Sequence, residues 1–294
     1  MMKESLGSRL FDAGNVTLLS IVGLLALFPL YYVFVVSFTD PSEYILKQGL
    51  VLFPHHWTLS AYKYLLSTRT FINATGVSVF LATVGTVLSL IVTSALAYGL
   101  SRKRLLGRRV IMLLILITIL FNPGIIPHYM LIRNLGLIDS IWALILPALA
   151  SGWNVILMKS FFDNIPVELE ESAAIDGCYD IGIFVRIVLP LSLPSLAAFG
   201  LFYAVAYWNT FFNAVLFIND NTKWPLQLVL NNMLINSSTS AGGSAAAEMM
   251  AEQTIPTETL KMAAVVIAIT PIVLVYPFLQ KHFAKGVMLG SVKG

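Results

Sequence analysis

Six stretches of this chain are apolar almost without interruption, and each is 22 residues or longer. They are Val16–Phe38, Ile72–Leu100, Val110–Ile132, Ile141–Phe162, Val188–Ile218 and Thr259–Gln280. A helix needs about 20 residues to cross a bilayer's hydrocarbon core, so each is long enough to cross it once. Of 18 Lys and Arg and 15 Asp and Glu, only Lys159 and Lys261 fall inside these segments, both near a segment end. A charge at the bilayer centre costs several kcal/mol, and a hydrocarbon solvent imposes this kind of sorting. Six such helices in a soluble bundle would find no polar cover. The expected fold is therefore an all-α integral membrane protein with six transmembrane helices. Composition agrees: 11% of residues are charged, against about 25% in a soluble domain. That excludes a soluble enzyme, a disordered linker and a nucleic-acid binder. The single cysteine, Cys178, allows no internal disulfide and no cysteine-based metal cluster.

Orientation follows from the loop cations, which concentrate on the cytoplasmic side. With the N-terminus inside, eleven Lys and Arg lie in cytoplasmic parts and five outside, and Ser101–Arg109 alone supplies five of the eleven. Both termini are thus expected in the cytoplasm. The expected organisation is a cytoplasmic N-terminus over residues 1–15, one membrane domain over 16–280, and a cytoplasmic tail over 281–294. The first segment is too long for a signal-peptide core and has no small-residue cleavage site after it, so it is read as retained. Two outside stretches are long, Thr39–Phe71 and the small-residue-rich Asn219–Glu258, whose composition suits a flexible or binding loop.

One cytoplasmic loop departs from the basic pattern. Asp163–Ile187 carries Asp163, Glu168, Glu170, Glu171, Asp176 and Asp180 against the single Arg186. Its sequence Ile165-Pro166-Val167-Glu168-Leu169-Glu170-Glu171-Ser172-Ala173-Ala174-Ile175-Asp176-Gly177 reads as a short helix. Pro166 fits a first helical position, and the glutamates favour the positive end of the helix dipole. Ala173 and Ala174 are strong helix formers, and Gly177 accepts the left-handed conformation that ends a helix. A second amphipathic run, Tyr179–Ile187, leads through Leu189-Pro190 into the fifth segment.

This loop resembles the cytoplasmic signature of ATP-binding-cassette importer permeases: Glu-Ala-Ala, three residues, Gly, nine residues, Ile-x-Leu-Pro. Glu171, Ser172 and Ala173 fill the first three places, Gly177 the glycine, and Ile187, Leu189 and Pro190 the end. Ser172 for the first alanine is the one departure, small for small. Ala97-Tyr98-Gly99-Leu100-Ser101-Arg102 and Trp208-Asn209 followed by Phe211-Phe212 resemble further motifs of the carbohydrate-importer branch, in particular the smaller permease of maltose-type systems. The tail, Tyr276-Pro277-Phe278 through Gly290-Ser291-Val292-Lys293-Gly294, looks like the sub-branch for polysaccharide fragments such as alginate or rhamnogalacturonan oligosaccharides. The resemblance implies the type I importer permease fold and a multi-pass place in a bacterial cell membrane. It implies four kinds of partner beside the lipid: a second homologous permease, two ATPase subunits, an extracytoplasmic sugar-binding protein and an oligosaccharide. It also implies a coupling role for Glu170, Glu171, Ser172, Ala173, Ala174, Asp176, Gly177, Ile187, Leu189 and Pro190. Within that set, Glu171 is the choice for a charge-assisted contact to an ATPase arginine or lysine.

No glycine in the chain is followed by lysine, so the phosphate-loop signature is absent. The chain is expected to be non-catalytic and without cofactor, with ATP and magnesium held by the partner ATPases. Sugars are commonly held by aromatic faces and amides. The candidates for the translocation pathway are Asn122, Tyr129, Trp153, Asn154, Tyr203, Tyr207, Trp208, Asn209 and Asn213. Asn209 and Asn213 are four apart and so are expected on one helix face, as are Tyr203 and Tyr207. Packing between helices is the competing role for every one of them. Pro123, Pro127 and Pro271 are expected to mark kinks. An ion-coupled transporter would want acids within the spans, and these have none. A metal enzyme would want ligand spacing, which the four histidines lack.

Overall fold

The computed structural model describes residues 6–47, 50–235 and 257–286. All regular elements among them are helical, and an isolated bridge between Thr39 and Trp57 is the sole extended pairing. Three helices are each long and apolar enough to cross a membrane: Phe11–Ser37, Arg69–Ser101 and Glu258–Val275. Three further pairs of helices are long and apolar enough only when taken together, each bent at a short break: Arg108–Leu120 with Ile125–Asn134 at 119°, Trp142–Ala148 with Gly152–Asp163 at 47°, and Asp180–Leu191 with Leu193–Trp208 at 83°.

The chain forms two compact units. The first takes residues 1–69 and 232–270. Here α1 (Leu6–Ser37) is the first span, followed by α2 (Pro41–Leu46) and α3 (Ser60–Ser67). The segment between α1 and α3 is held by backbone bonds from Asp40 to His56 and from Thr58 to Phe38 and by the Glu43 carboxylate. Glu43 on α2 takes the Lys47 ammonium at 2.7 Å and the backbone N–H groups of His55 and His56, each at 2.9 Å. The Lys47 hydrogen bond first, then these amides, pull the Glu43 carboxyl down to about 2.

The second unit takes residues 70–231 and 271–294. It contains α4 (Arg69–Phe80, from its second residue), a π turn (Leu81–Gly85), α5 (Thr86–Ser101), α6 (Arg108–Leu120), α7 (Ile125–Asn134) and α8 (Trp142–Ile145). A 3₁₀ turn (Leu146–Ala148) leads to α9 (Gly152–Asp163), then α10 (Val167–Ile175), α11 (Asp180–Ile183), a second π turn (Phe184–Val188), α12 (Leu189–Leu191) and α13 (Leu193–Trp208). After α14 (Phe212–Phe217) come α15 (Leu226–Ile235) and α16 (Thr257–Gly286), the last helix among the described residues; each of these two is divided between the two units. At the heart of this unit α5 packs against α9 and α13. Ser89 and Thr93, four apart on α5, meet Tyr207 and Tyr203, four apart on α13, at 2.9 and 2.7 Å between hydroxyls. Gly85 makes the approach possible, because a Cβ there would lie 2.7–2.9 Å from the Tyr207 ring. Each such interhelical bond is worth about 0.6 kcal/mol in a membrane, so the pair fixes register more than stability.

Several span boundaries differ from the hydropathy reading. Val110–Ile132 is broken at Phe121–Gly124, where Pro123 disfavours a helical conformation for Asn122 and Gly124 sits at φ +84°. Pro127 produces no kink, since it lies in the first turn of α7, where its missing N–H costs nothing. Pro271 lies inside α16, where its missing N–H removes one bond from the helical ladder. Val188–Ile218 is three elements. It breaks at Ser192 between Pro190 and Pro194, and again after Trp208. There the Asn209 side-chain amide and the Thr210 hydroxyl donate to the carbonyls of Val205 and Ala206, at 3.0 and 3.3 Å, and the Asn209 backbone N–H also reaches Val205 at 3.0 Å. Of the expected outer loop Asn219–Glu258, residues 236–256 lie outside the described residues, as do 287–294 of the tail, whose first residues, 281–286, continue α16.

Candidate functional site

The acidic loop folds as helix, bend and helix. Pro166 caps α10 from outside the first turn, so the helix starts one residue later than Pro166 itself suggests. At the far end the Cys178 N–H reaches the Ala173 carbonyl at 2.9 Å and the Gly177 N–H reaches Ala174 at 3.1 Å. Gly177 has φ +86°. These are the two bonds of a Schellman motif, whose left-handed position glycine fills without strain. The turn sends the chain into α11, and the second π turn and α12 carry it to the 83° bend at Ser192.

The loop is fastened to the end of α5. Ala173, Ile183 and Val188 are buried in one cluster with Ala97 and Tyr98 of α5, Met158 and Phe162 of α9, and Phe199 of α13. The Tyr98 ring stacks on Phe184 at 4.8 Å, and its hydroxyl donates to the Asp180 carbonyl at 3.4 Å. Arg102 lies over the Tyr98 ring, 4.6 Å from its centre, and pairs with Glu170. Burial pushes the Arg102 guanidinium below its ordinary value. Arg104 pairs with Asp180, and Lys159 of α9 pairs with Asp163.

Three of the loop's six acids therefore face the chain itself. The coupling role expected for Glu170 changes accordingly: its carboxylate is turned inward to Arg102, and Ala173 is buried beside it. Glu168, Glu171 and Asp176 are exposed, and none forms an ion pair among the described residues. Ser172, Ala174 and Gly177 are also exposed, Ile187 and Leu189 are half-buried, and Pro190 is exposed. Around the Gly177 bend, Ile175, Tyr179 and Ile181 are 86%, 87% and 78% exposed. The free face of the loop thus mixes carboxylates with large apolar side chains. In the sequence Arg102 and Arg104 read as topology anchors, Arg102 also closing the Ala97–Arg102 motif. The signal for their second role was the match of a basic and an acidic loop on one membrane side.

The pathway candidates separate into two groups. Tyr203 and Tyr207 are buried in helix contacts, with the Tyr207 hydroxyl also 3.3 Å from the Ile145 carbonyl. Trp208 is buried, and Tyr129 stacks near Phe217 at 6.3 Å. Asn122 is spent on its own turn, accepting the Gly124 N–H at 2.9 Å. Asn209 and Asn213 do not share a helix face, because the break after Trp208 puts Asn213 on α14. Both are exposed, as is Trp153, while Asn154 is half-buried.

A helical unit of bent apolar helices, carrying a short-helix loop stapled to the end of one of them, is the architecture of a membrane transport permease. The chain belongs to the family of binding-protein-dependent transport system inner membrane components, which it matches over residues 105–289. It is a multi-pass membrane subunit of the ABC-transporter class with the type I importer permease fold. It is 47% identical to the polygalacturonan/rhamnogalacturonan transport system permease protein YtcP of Bacillus subtilis (strain 168), over 98% of this chain and 99% of that one. Protein LplC of the same organism is 46% identical over 100% of this chain and 98% of its own length. A chain from the crystal structure of a bacterial ABC transporter involved in the import of the acidic polysaccharide alginate superimposes with a TM-score of 0.88. That chain is 32% identical, with 96% of this chain and 100% of that chain covered.

Proposed function

We propose that this chain is one of two permease subunits of an ATP-driven importer for oligosaccharides derived from acidic plant or algal polysaccharides. The observation that carries the reading is the full-length likeness to a polygalacturonan/rhamnogalacturonan permease. The likeness to an alginate importer chain supports the same substrate class. In this reading the acidic loop and both termini lie in the cytoplasm. Glu171 meets a cation of an ATPase subunit, with Ile175, Tyr179 and Ile181 seated in the same cleft. ATPase closure moves α10 and α11 as a rigid body. The contacts to Tyr98, Arg102 and Arg104 pass that movement to α5, and the Ser192 bend passes it to α13. Of the expected coupling residues, Glu170 and Ala173 then serve inside the chain, and Glu171, Ser172, Ala174, Asp176 and Gly177 serve toward the partner.

ATP and magnesium are held by two partner ATPase subunits, and a binding protein delivers the sugar. The spans place no acid in the pathway and only Lys159 and Lys261 near its ends. An acidic sugar is therefore met by neutral donors such as Asn154, Asn209 and Asn213, by the second permease and by the binding protein. The test is ATP hydrolysis by the reconstituted complex with its binding protein loaded in turn with galacturonan, rhamnogalacturonan, alginate and neutral arabino-oligosaccharides. Stimulation by acidic oligosaccharides over neutral ones is the expected result. Stimulation by the neutral set alone overturns the substrate class.

A further inference from the structure

The basic stretch Ser101–Arg109 does two jobs. Arg102 and Arg104 are taken up by the acidic loop. Lys103, Arg108 and Arg109 form no ion pair among the described residues. Those three line an open cavity of about 730 Å³ together with Lys159 of α9. Lys159 shares its charge with Asp163, and no acid lines the cavity itself. Arg108 and Arg109 also occupy the first turn of α6, where the helix dipole disfavours cations. Their position therefore costs helix stability and is not explained by it. The remaining wall is apolar: Leu105, Leu106 and Met112, with Leu106 left 92% exposed. The cavity sits where three apolar segments end or begin, at Leu100, Val110 and Phe162, which is the level of the lipid headgroups.

We propose that this cavity binds the phosphodiester of an anionic phospholipid, with Leu105, Leu106 and Met112 against the start of its acyl chains. Basic pockets among span ends are suited to such headgroups, and the apolar wall favours a lipid over a free phosphate. The proposal depends on the chain's being in a bilayer and not on which sugar it carries.

The probe is phosphatidylglycerol in phosphatidylcholine nanodiscs holding the complete transporter, with bound lipid counted by native mass spectrometry. Each basic residue near a membrane surface contributes about 1 kcal/mol to anionic-lipid binding. Arg108→Gln with Arg109→Gln should therefore weaken phosphatidylglycerol retention about thirtyfold, and Lys103→Gln alone about fivefold. Arg108→Lys with Arg109→Lys should keep it, and Arg133→Gln, at the far end of α7, should leave it unchanged. Retention equal to the native chain in both glutamine variants overturns the proposal. Displacement of the lipid by millimolar inorganic phosphate overturns the lipid as source. Unchanged lipid with loss of an ATPase subunit from the glutamine variants assigns the cations to an acidic protein surface and overturns it as well.

Discussion

Replacing Glu170 should loosen the loop from the chain that carries it. Its carboxylate pairs with Arg102 where 12% of the Glu170 side chain and 16% of the Arg102 side chain remain exposed. Removing one partner of a buried pair leaves the other charge desolvated and costs roughly 3–5 kcal/mol. The residual exposure puts Glu170→Leu near the low end, about 3 kcal/mol. Glu170 Oε1 is buried without a hydrogen-bond partner, so the pair is incompletely satisfied. Replacing both residues with apolar ones, Glu170→Leu with Arg102→Met, should then cost less than either change alone. The assay is a double-mutant cycle on the purified transporter, read by denaturant-induced loss of protease protection in the loop. With each single change costing about 3 kcal/mol and the double no more than one of them, an interaction energy of about 3 kcal/mol is expected. In the same variants ATP hydrolysis should persist in the single changes while uptake falls. Two single effects that simply add in the double variant, within about 0.5 kcal/mol, would refute the latch.

Gly177→Val should uncouple hydrolysis from uptake with little loss of folded protein. Open space surrounds the position, so the cost is the positive φ alone, about 1–2 kcal/mol. Normal sugar-driven hydrolysis and uptake in that variant would remove Gly177 from the coupling path. For Glu43, the folded carboxyl at about 2 lies below its ordinary 4.5. Its stabilisation of the α1–α3 segment is thus complete above about 4.5 and lost as pH falls toward 2. Trp57 fluorescence should report that acid transition, and Glu43→Gln should abolish it. An identical acid profile in the variant would show that other groups hold the segment.

The loop signature was legible because its chemistry is local. Glutamates in the first turns, two alanines and a glycine at a left-handed stop specify α10 and its end from sequence neighbours alone. The inward turn of Glu170 was not legible, because Glu170 and Glu171 are adjacent acids with the same local preferences. Which of them meets Arg102 depends on how α10 rolls when Ala173 enters the cluster with Tyr98 and Phe162. The aromatic pathway candidates divided for a similar reason. Tyr203 and Tyr207 do share a face, as their spacing predicts, but that face meets Ser89 and Thr93 of α5. The spacing of Asn209 and Asn213 predicted the same and failed, because the helix ends at Trp208 and Asn213 lies on the next one, a break that apolar patterning does not register.

By itself the sequence determined that this chain lives in a bilayer, how many apolar segments are long enough to cross it, and that one loop is built as a short helix ending at Gly177. Those properties follow from solvent transfer and backbone preference, which act on residues near one another along the chain. Tertiary structure decided where the spans bend, which tyrosines lock α5 to α13, and how the charges divide. Scarcity of charge inside the membrane was a one-dimensional fact. The assignment of Arg102 and Arg104 to the acidic loop, leaving Lys103, Arg108 and Arg109 around a cavity, was settled only when α5, α6 and α9 came together. Pairing energy depends on distance and burial, and neither exists until the helices pack.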